Sequence, residues 1–177
     1  KYGPKAASFR HRVQQYLPHL ERAGFTCDVS SLLDDSYLES RFATGRRSPW
    51  GALRAITRRL RAFARVRRYA LVIIGIEFFP YCPAVFERLL NLLGIPYILD
   101  YDDPVFHYYD MHRSALVRWA LGGKVAEVAR RAALVFAGSP YLVDYAANAG
   151  GTAEYIPTVI DLDRYSRTKG PRAPAAP

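Results

Sequence analysis

The sequence predicts an α/β domain with a parallel sheet covered by helices on both faces. Apolar stretches of strand length alternate with amphipathic stretches of roughly 10 to 20 residues, the order expected for parallel strands joined by crossover helices. Residues 69–76 are apolar without alternation, as in a strand buried on both faces. The 177 residues suffice for one such domain and are too few for two.

The first part of the chain is predicted to hold two helices and a short strand. Residues 8–24 carry an apolar stripe of helical period, and Gly24 is well placed to end the helix in the left-handed conformation. Residues 25–30 alternate in polarity, which predicts a strand. Ser48-Pro49 is an N-cap followed by proline at the first helical position, so a helix is expected to extend from there to about Arg67.

The rest of the chain continues the alternation. The pair Gly122-Gly123 is expected to interrupt the helical stretch between Arg113 and Arg131. The remaining predicted elements are a helix over residues 83–93 capped by Gly94, a strand that begins at about Ile95 and is ended by Pro104, a strand over 133–137, a helix over 139–148 and a short strand over 154–156. Together they predict a Rossmann-like, doubly wound sheet.

The chain enters this fold at a turn. Doubly wound domains usually begin with their central strand, so we expect Lys1-Tyr2 to be the end of a first strand that is missing from the sequence. Residues 1–165 then form the Rossmann-like domain. Residues 166–177 are rich in proline, alanine and basic residues, which predicts a linker or a disordered tail.

Cysteine content and hydropathy bear on the cellular compartment. Cys27 and Cys82 lie far apart in ordinary apolar contexts and form no disulfide framework, which suits a reducing compartment. The sequence has no uninterrupted apolar run of about 18 residues. We therefore expect a cytoplasmic protein that does not span a membrane.

The net charge of +9 arises from a single segment. Nine of the 25 basic residues and no acidic residue lie in residues 46–68, which leaves 16 basic and 16 acidic residues elsewhere. On a helical wheel Leu53, Ile56, Leu60 and Phe63 share a face that is expected to pack on the sheet. The arginines on an arc away from that face are Arg54, Arg58, Arg61, Arg65 and Arg68.

This arginine face has three interpretations. It binds an anionic membrane surface, where each basic group contributes on the order of 1 kcal/mol; it binds nucleic acid; or it is an ordinary solvated helix face. No recognised nucleic-acid module and no interleaved aromatic residues accompany it, so we expect no nucleic-acid partner.

Three carboxylates end the apolar stretch that begins at Ile95. In Asp100-Tyr101-Asp102-Asp103, the Asp-x-Asp spacing suits a hard divalent cation. Crowded carboxylates also raise one another's proton affinity, which suits a general base, and aspartates serve equally well as loop caps. His107 either orients a substrate hydroxyl or packs in an aromatic loop. Asp102, Asp103 and His107 are the candidate catalytic residues.

Polar groups follow the other predicted strand ends as well. A loop at Gly3 leads into a helix with Ser8, Arg10 and Arg12, so backbone amides and guanidinium groups are available to a phosphate or carboxylate. Neither a dinucleotide fingerprint nor a P-loop is present. Glu77 and Ser139 complete the set of candidate binding residues. We expect all these groups to converge at one edge of the sheet.

The order of these motifs resembles the amino-terminal domain of family 4 glycosyltransferases with the GT-B fold. The segments that carry the resemblance are Ala7-Ser8-Phe9-Arg10-His11-Arg12 with Gly24, Glu77-Phe78-Phe79-Pro80, Leu99-Asp100-Tyr101-Asp102-Asp103, Ala137-Gly138-Ser139-Pro140-Tyr141-Leu142, and Ile156-Pro157-Thr158-Val159-Ile160-Asp161 with Tyr165. They span nearly the whole chain.

The resemblance implies a two-domain enzyme, of hexosyltransferase type, that moves a sugar from a nucleotide diphosphate donor without a cofactor or an essential metal. The amino-terminal domain would bind mainly the acceptor, with Gly3 near the donor phosphates and the region of Asp102, Asp103 and His107 at the reaction centre. The donor domain would follow this chain, which is expected to be inactive alone.

Many relatives use lipid-linked or envelope-glycan acceptors in polysaccharide biosynthesis, which would give the arginine face a role on the inner face of a membrane. The alternatives are a metal-dependent Asp-x-Asp glycosyltransferase of the other large fold, with Asp100 and Asp102 on manganese, and a non-catalytic module that binds a polyanion.

Overall fold

The computed structural model describes residues 3, 6–32 and 49–161. Within these residues four parallel strands form one sheet in the order β1-β2-β3-β4. The strands are β1 (Val72–Gly75), β2 (Tyr97–Tyr101), β3 (Leu134–Ala137) and β4 (Ala153–Tyr155). Helices alternate with the strands, which confirms the predicted α/β fold class. The predicted tail at residues 166–177 lies outside the described residues.

The helices follow the chain in the predicted order. They are α1 (Ala7–Arg12), α2 (Leu17–Arg22), α3 (Pro49–Ala64), α4 (Val85–Leu92), α5 (His107–Asp110), α6 (Ala115–Leu121), α7 (Lys124–Arg131) and α8 (Pro140–Asn148). Short 3₁₀ turns lie at Gln14–Tyr16 and Val66–Arg68. The single helix predicted over residues 8–24 is therefore interrupted, and Pro18 lies in the first positions of α2, where its missing N–H costs nothing.

Local signals mark several helix ends correctly. Gly94 has a φ of 69° after α4, and its N–H donates to the Asn91 carbonyl. A side chain rarely adopts this conformation, so glycine ends the helix there. The pair Gly122-Gly123 separates α6 from α7, and Ser139 is the N-cap of α8.

The core lies around the two central strands. Tyr97, Leu99 and Tyr101 of β2 are buried, as are Val135 and Ala137 of β3. Each large apolar side chain that is fully buried stabilises the fold by about 1.5–3 kcal/mol. The core therefore fixes β2, and with it the position of the acidic residues at its carboxyl end.

The strand predicted over residues 25–30 does not form. Phe25 and Val29 are exposed, and the segment is held by side chains, with the Tyr69 hydroxyl 2.7 Å from Asp28 Oδ2. Alternating polarity creates a strand only where a neighbouring strand completes the backbone ladder. None of the described strands lies beside this segment.

The predicted packing of α3 is wrong. Leu53, Ile56 and Leu60 are exposed, whereas Phe63 packs against the core. Arg59 is half-buried, with its guanidinium carbon 5.1 Å from the centre of the Phe78 ring, a cation–π contact. The aromatic cluster beyond the end of β1 thus draws in a different helix face from the one that hydropathy selects.

Strand β1 is also shorter and more exposed than predicted for residues 69–76. It covers four residues, and Ile73 in its middle is exposed. Its only partner among the described strands is β2, so β1 is an edge of the described sheet. The exposed Ile73 shows in addition that one face of β1 is not covered.

Candidate functional site

The carboxyl ends of the four strands are in register. Gly75 pairs with Asp100, Asp100 with Phe136, and Ala137 with Tyr155. The segments that follow these strands therefore start from one edge of the sheet, which is where open parallel sheets bind ligands.

An arginine–carboxylate pair anchors this edge. Arg12 Nε lies 2.9 Å from Asp100 Oδ1 and 3.1 Å from Oδ2, and the two side chains are only 5% and 10% exposed. Burial raises the pKa of Asp100, and the hydrogen bonds from Arg12 oppose that effect. The pair joins α1 to the end of β2 by charge-assisted hydrogen bonds, which are stronger than neutral ones.

The same guanidinium group also holds the segment that follows β4. Arg12 Nη1 donates to the Ile156 carbonyl and to Thr158 Oγ1, both at 3.0 Å. The Thr158 hydroxyl in turn donates to Asp102 Oδ1 at 2.8 Å. Helix α1, the end of β2 and the chain beyond β4 are thus tied together through one buried side chain.

These contacts leave a poor donor set for a metal ion. Both Asp100 oxygens face the Arg12 guanidinium, and Asp102 Oδ1 accepts from Thr158. Among the described residues no group of three or more His, Cys, Asp or Glu side chains is placed to hold a metal. Asp100 and Asp102 therefore do not fit the Asp-x-Asp metal site that their spacing suggests.

The three acidic residues have different environments. Asp100 is buried in its ion pair with Arg12, the Asp102 side chain is 35% exposed, and Asp103 is exposed. A glycine lies directly against Asp102, because a Cβ at Gly138 would be 2.8 Å from Asp102 Oδ1. Beside it, Ser139 Oγ accepts from the Leu142 N–H at 3.4 Å and so caps α8.

His107 is held between two polar side chains. Its Nδ1 lies 3.1 Å from Asp110 Oδ1, and its Nε2 lies 3.0 Å from the Tyr141 hydroxyl. With Asp110 accepting from Nδ1–H, a neutral imidazole accepts from Tyr141 at Nε2. The ring also packs on Phe106, with 4.4 Å between centroids. His107 therefore has both the packing contact and the polar contacts that its sequence position suggested.

Glu77 turns into the interior and not toward the open edge. Its Oε2 accepts from Lys124 Nζ and from the Tyr109 hydroxyl, each at 2.6 Å. Lys124 also donates to the Phe79 carbonyl at 2.7 Å. This buried cluster fixes the loop that follows β1 (Ile76–Tyr81), so the contacts of Glu77 in this structure are structural ones.

The four candidate binding residues near the amino terminus, Gly3, Ser8, Arg10 and Arg12, have different environments in the structure. Gly3 is buried, and its carbonyl accepts from the Ala6 N–H at 3.0 Å. Ser8 and Arg10 are exposed on α1. Arg12 reaches the acidic cluster at the end of β2, so it is the member of this group that joins the strand edge.

The arginine face of α3 is exposed as predicted, through Arg54, Arg58, Arg61 and Arg65, with Arg68 exposed in the turn that follows. Arg58 also donates to the Ser31 and Leu32 carbonyls at 3.1 and 3.0 Å. In the part of the chain that the structure describes, no helix combines the length and the apolarity that crossing a membrane requires.

Sequence reasoning missed the partners of the candidate residues. Thr158, Asp110, Tyr141 and Lys124 each complete a cluster described above. Two of these partners, Tyr141 and Thr158, lie inside segments that carry the family resemblance, which was the signal that could have pointed to them. Nothing in the spacing along the chain connects Lys124 with a carboxylate 47 residues away.

Comparison with known proteins assigns the family. The sequence profile of the Glycosyl transferase 4-like domain matches residues 6–159. This range includes the four described strands, Arg12 and its partners Asp100 and Thr158. No curated protein and no solved structure gave a significant match. The profile match confirms the resemblance seen in the motifs and covers most of the chain: the protein belongs to the glycosyl transferase 4-like domain family.

Proposed function

We propose that this domain is the acceptor-binding half of an enzyme that moves a sugar from a nucleotide-sugar donor to an acceptor. A glycosyltransferase-type function follows from the family itself. The assignment to the acceptor side rests on the acidic residues at the carboxyl edge of the sheet. Asp100 is buried against Arg12, whereas Asp102 and Asp103 are accessible to a ligand there.

The chemistry required on the acceptor side fits these groups. An acceptor hydroxyl must be oriented and must lose its proton as the new glycosidic bond forms, which a carboxylate or a neutral imidazole can assist. Asp102 and Asp103 supply carboxylates at the edge, and His107 supplies an imidazole that Asp110 orients and whose Nε2 reaches an acceptor only when the Tyr141 hydroxyl moves away from it. Arg12 acts through Asp100 and Thr158 as a positioning residue.

The donor side is proposed to come from a second domain of the same protein, in line with the GT-B resemblance. The Gly3 loop would approach the donor diphosphate from this domain. In this scheme neither a cofactor nor a metal is required, and the present chain alone does not turn over.

Sugar transfer is tested with the chain extended by the residues that follow Pro177 in its protein. The probes are radiolabelled UDP-glucose and GDP-mannose, with a membrane lipid extract as the acceptor source. Asp102→Asn and Asp103→Asn are each expected to lower the rate by roughly 10²-fold or more, the usual contribution of a general base. Glu154→Gln, on exposed β4, is the matched control and should leave the rate unchanged.

Three results would contradict parts of this proposal. Full activity in both aspartate variants would remove the acceptor-side assignment. Loss of activity with a chelator would favour the metal-dependent alternative. Transfer by the 177-residue chain alone would show that no second domain is needed.

We further propose that the protein binds the inner face of a membrane through the arginine face of α3, which suits a lipid-linked or envelope-glycan acceptor. At about 1 kcal/mol for each basic group, replacing Arg54, Arg61 and Arg65 by alanine lowers the affinity for phosphatidylglycerol vesicles roughly a hundredfold. The charge-matched control replaces Arg22, Arg88 and Arg130, which are exposed elsewhere. Equal vesicle binding by the two triple variants would remove this assignment.

A further inference from the structure

Helix α6 exposes large apolar side chains that the proposed site does not use. Leu116 and Trp119 lie one turn apart and are 69% and 84% exposed, and the preceding Met111 is 72% exposed. The same helix turns Val117 and Leu121 toward the core. A helix that is apolar on its outer face as well as its inner face normally has that outer face covered.

Within residues 111–126 the exposed charges have one sign, whereas Asp110, just before Met111, is exposed and lies 3.1 Å from His107 Nδ1. Residues 111–126 contain Arg113, Arg118 and Lys124 and no aspartate or glutamate. Lys124 is buried in the cluster with Glu77, so the exposed charges of this segment are the two arginines. Arg118 Nη1 donates to the His112 carbonyl at 2.6 Å, which holds its cation over the turn between α5 and α6.

We propose that Met111, Leu116 and Trp119, with Arg113 and Arg118 (the α6 patch), bind the interface of an anionic lipid bilayer. Leucine and methionine enter the acyl boundary, tryptophan favours the interfacial region, and arginine pairs with lipid phosphates. The inference rests on the proposed membrane-associated function, and it adds to the contact proposed for α3 a second contact on a different helix.

The location of the α6 patch fits this use. Helix α6 packs against α5, which carries His107, and His107 reaches Tyr141 at the carboxyl edge of the sheet. A bilayer on the α6 patch therefore lies beside the segment that carries the candidate catalytic groups.

A second copy of the chain is a poorer occupant. A two-fold symmetric contact brings each patch against the same patch of its partner. It would therefore bring Arg113 and Arg118 toward their own counterparts, and the adjoining acidic residue, Asp110, already lies 3.1 Å from His107 Nδ1. An anionic bilayer complements both the apolar side chains and the charge.

The two tryptophans of the chain provide a direct test, because Trp50 lies on α3 and Trp119 on α6. Trp50→Phe and Trp119→Phe each leave a single reporter. Each variant is mixed with phosphatidylglycerol–phosphatidylcholine vesicles that carry brominated acyl chains. In the bound Trp50→Phe variant we expect Trp119 emission to shift to the blue and to be quenched.

A matched pair of substitutions tests the contribution of the apolar contact. Leu116→Gln is expected to weaken vesicle binding at least tenfold, whereas Leu92→Gln, on α4 and 81% exposed, leaves it unchanged. Both positions are exposed, so neither change disturbs the core.

Each other outcome overturns the inference. Quenching of Trp50 without quenching of Trp119 would place the bilayer on α3, so the proposed membrane association would survive and the α6 patch would not. Equal binding by the two leucine variants would also exclude the α6 patch. A dimer in lipid-free solution that Leu116→Gln abolishes would make it a protein interface. Absence of vesicle binding would remove both membrane assignments and leave the sugar-transfer assay unaffected.

Discussion

Replacing Lys124 by methionine is expected to destabilise the domain by about 3–5 kcal/mol, the usual cost of removing one partner of a buried ion pair. Lys124 and Glu77 are 2% and 6% exposed, and 2.6 Å separates Nζ from Oε2. Without the ammonium group, the Glu77 carboxylate stays buried with the Tyr109 hydroxyl as its remaining donor in this cluster. The loss is large against a typical domain stability of about 5–15 kcal/mol.

The cluster also holds a backbone that is costly to form. Ile76 and Tyr81, at the two ends of the loop, have φ values of 76° and 55°. A β-branched residue at positive φ is an outlier, and such positions cost on the order of 1–3 kcal/mol each and persist only where the surrounding structure enforces them. Loss of Lys124 removes the bond to the Phe79 carbonyl within this loop, so the strain is expected to relax.

The double variant Glu77→Gln with Lys124→Met is expected to recover much of the stability, because it removes the unpaired charge and keeps an acceptor for Tyr109. Stability is measured by urea unfolding followed by circular dichroism. Arg88→Met is the control, since it breaks an exposed pair with Glu127 and should leave the urea midpoint near that of the wild type.

The result that refutes this reasoning is a loss below about 1 kcal/mol for Lys124→Met, the range of an exposed pair. A double variant no more stable than the single one would refute it equally. If Lys124→Met does not fold, Tyr109→Phe supplies a second test, because it deletes the bond that the hydroxyl donates to Glu77 and the one that it accepts from the Tyr81 N–H. The loss of one charged and one neutral hydrogen bond should cost about 2–4.5 kcal/mol.

Two further predictions concern Glu87 and Gly138. Burial raises the pKa of Glu87 above 4.5, and the hydrogen bond from the Phe78 N–H at 3.0 Å partly opposes this effect. The folded state therefore binds the Glu87 proton more tightly than the unfolded state does. As a result, wild-type stability falls as pH rises from about 4.5 through the folded pKa. Measured by urea unfolding across that pH window, the free energy of unfolding of Glu87→Gln should therefore rise progressively relative to that of the wild type. A difference between the two proteins that does not change with pH would contradict this. Gly138→Ala should lower stability by about 1–3 kcal/mol in thermal melts, because its Cβ would press on Asp102. Gly123→Ala, with open space at its Cβ, is the control, and equal melting temperatures would contradict the packing argument.

The sequence by itself determined the order of most elements and the position of the acidic residues. Gly94, the pair Gly122-Gly123 and Ser139-Pro140 act through the backbone conformation of their own few residues, so their effect can be read locally. The apolar stretch before Asp100 likewise predicts a strand whose carboxyl end carries the acids, as β2 does. The resemblance in motif order then led to the family that the profile match confirms.

Tertiary structure alone decided which side chains meet. Arg12 reaches Asp100 across 88 residues and the Ile156 carbonyl across 144, and no local pattern encodes either contact. Residues 25–30 have the alternation of a strand but lack a ladder partner among the described strands. In α3 the aromatic cluster beside Phe78 takes in Arg59 and Phe63 and leaves Leu53, Ile56 and Leu60 exposed. Periodicity fixes what a segment can form, whereas its burial and its partners depend on the surfaces that the rest of the chain brings against it.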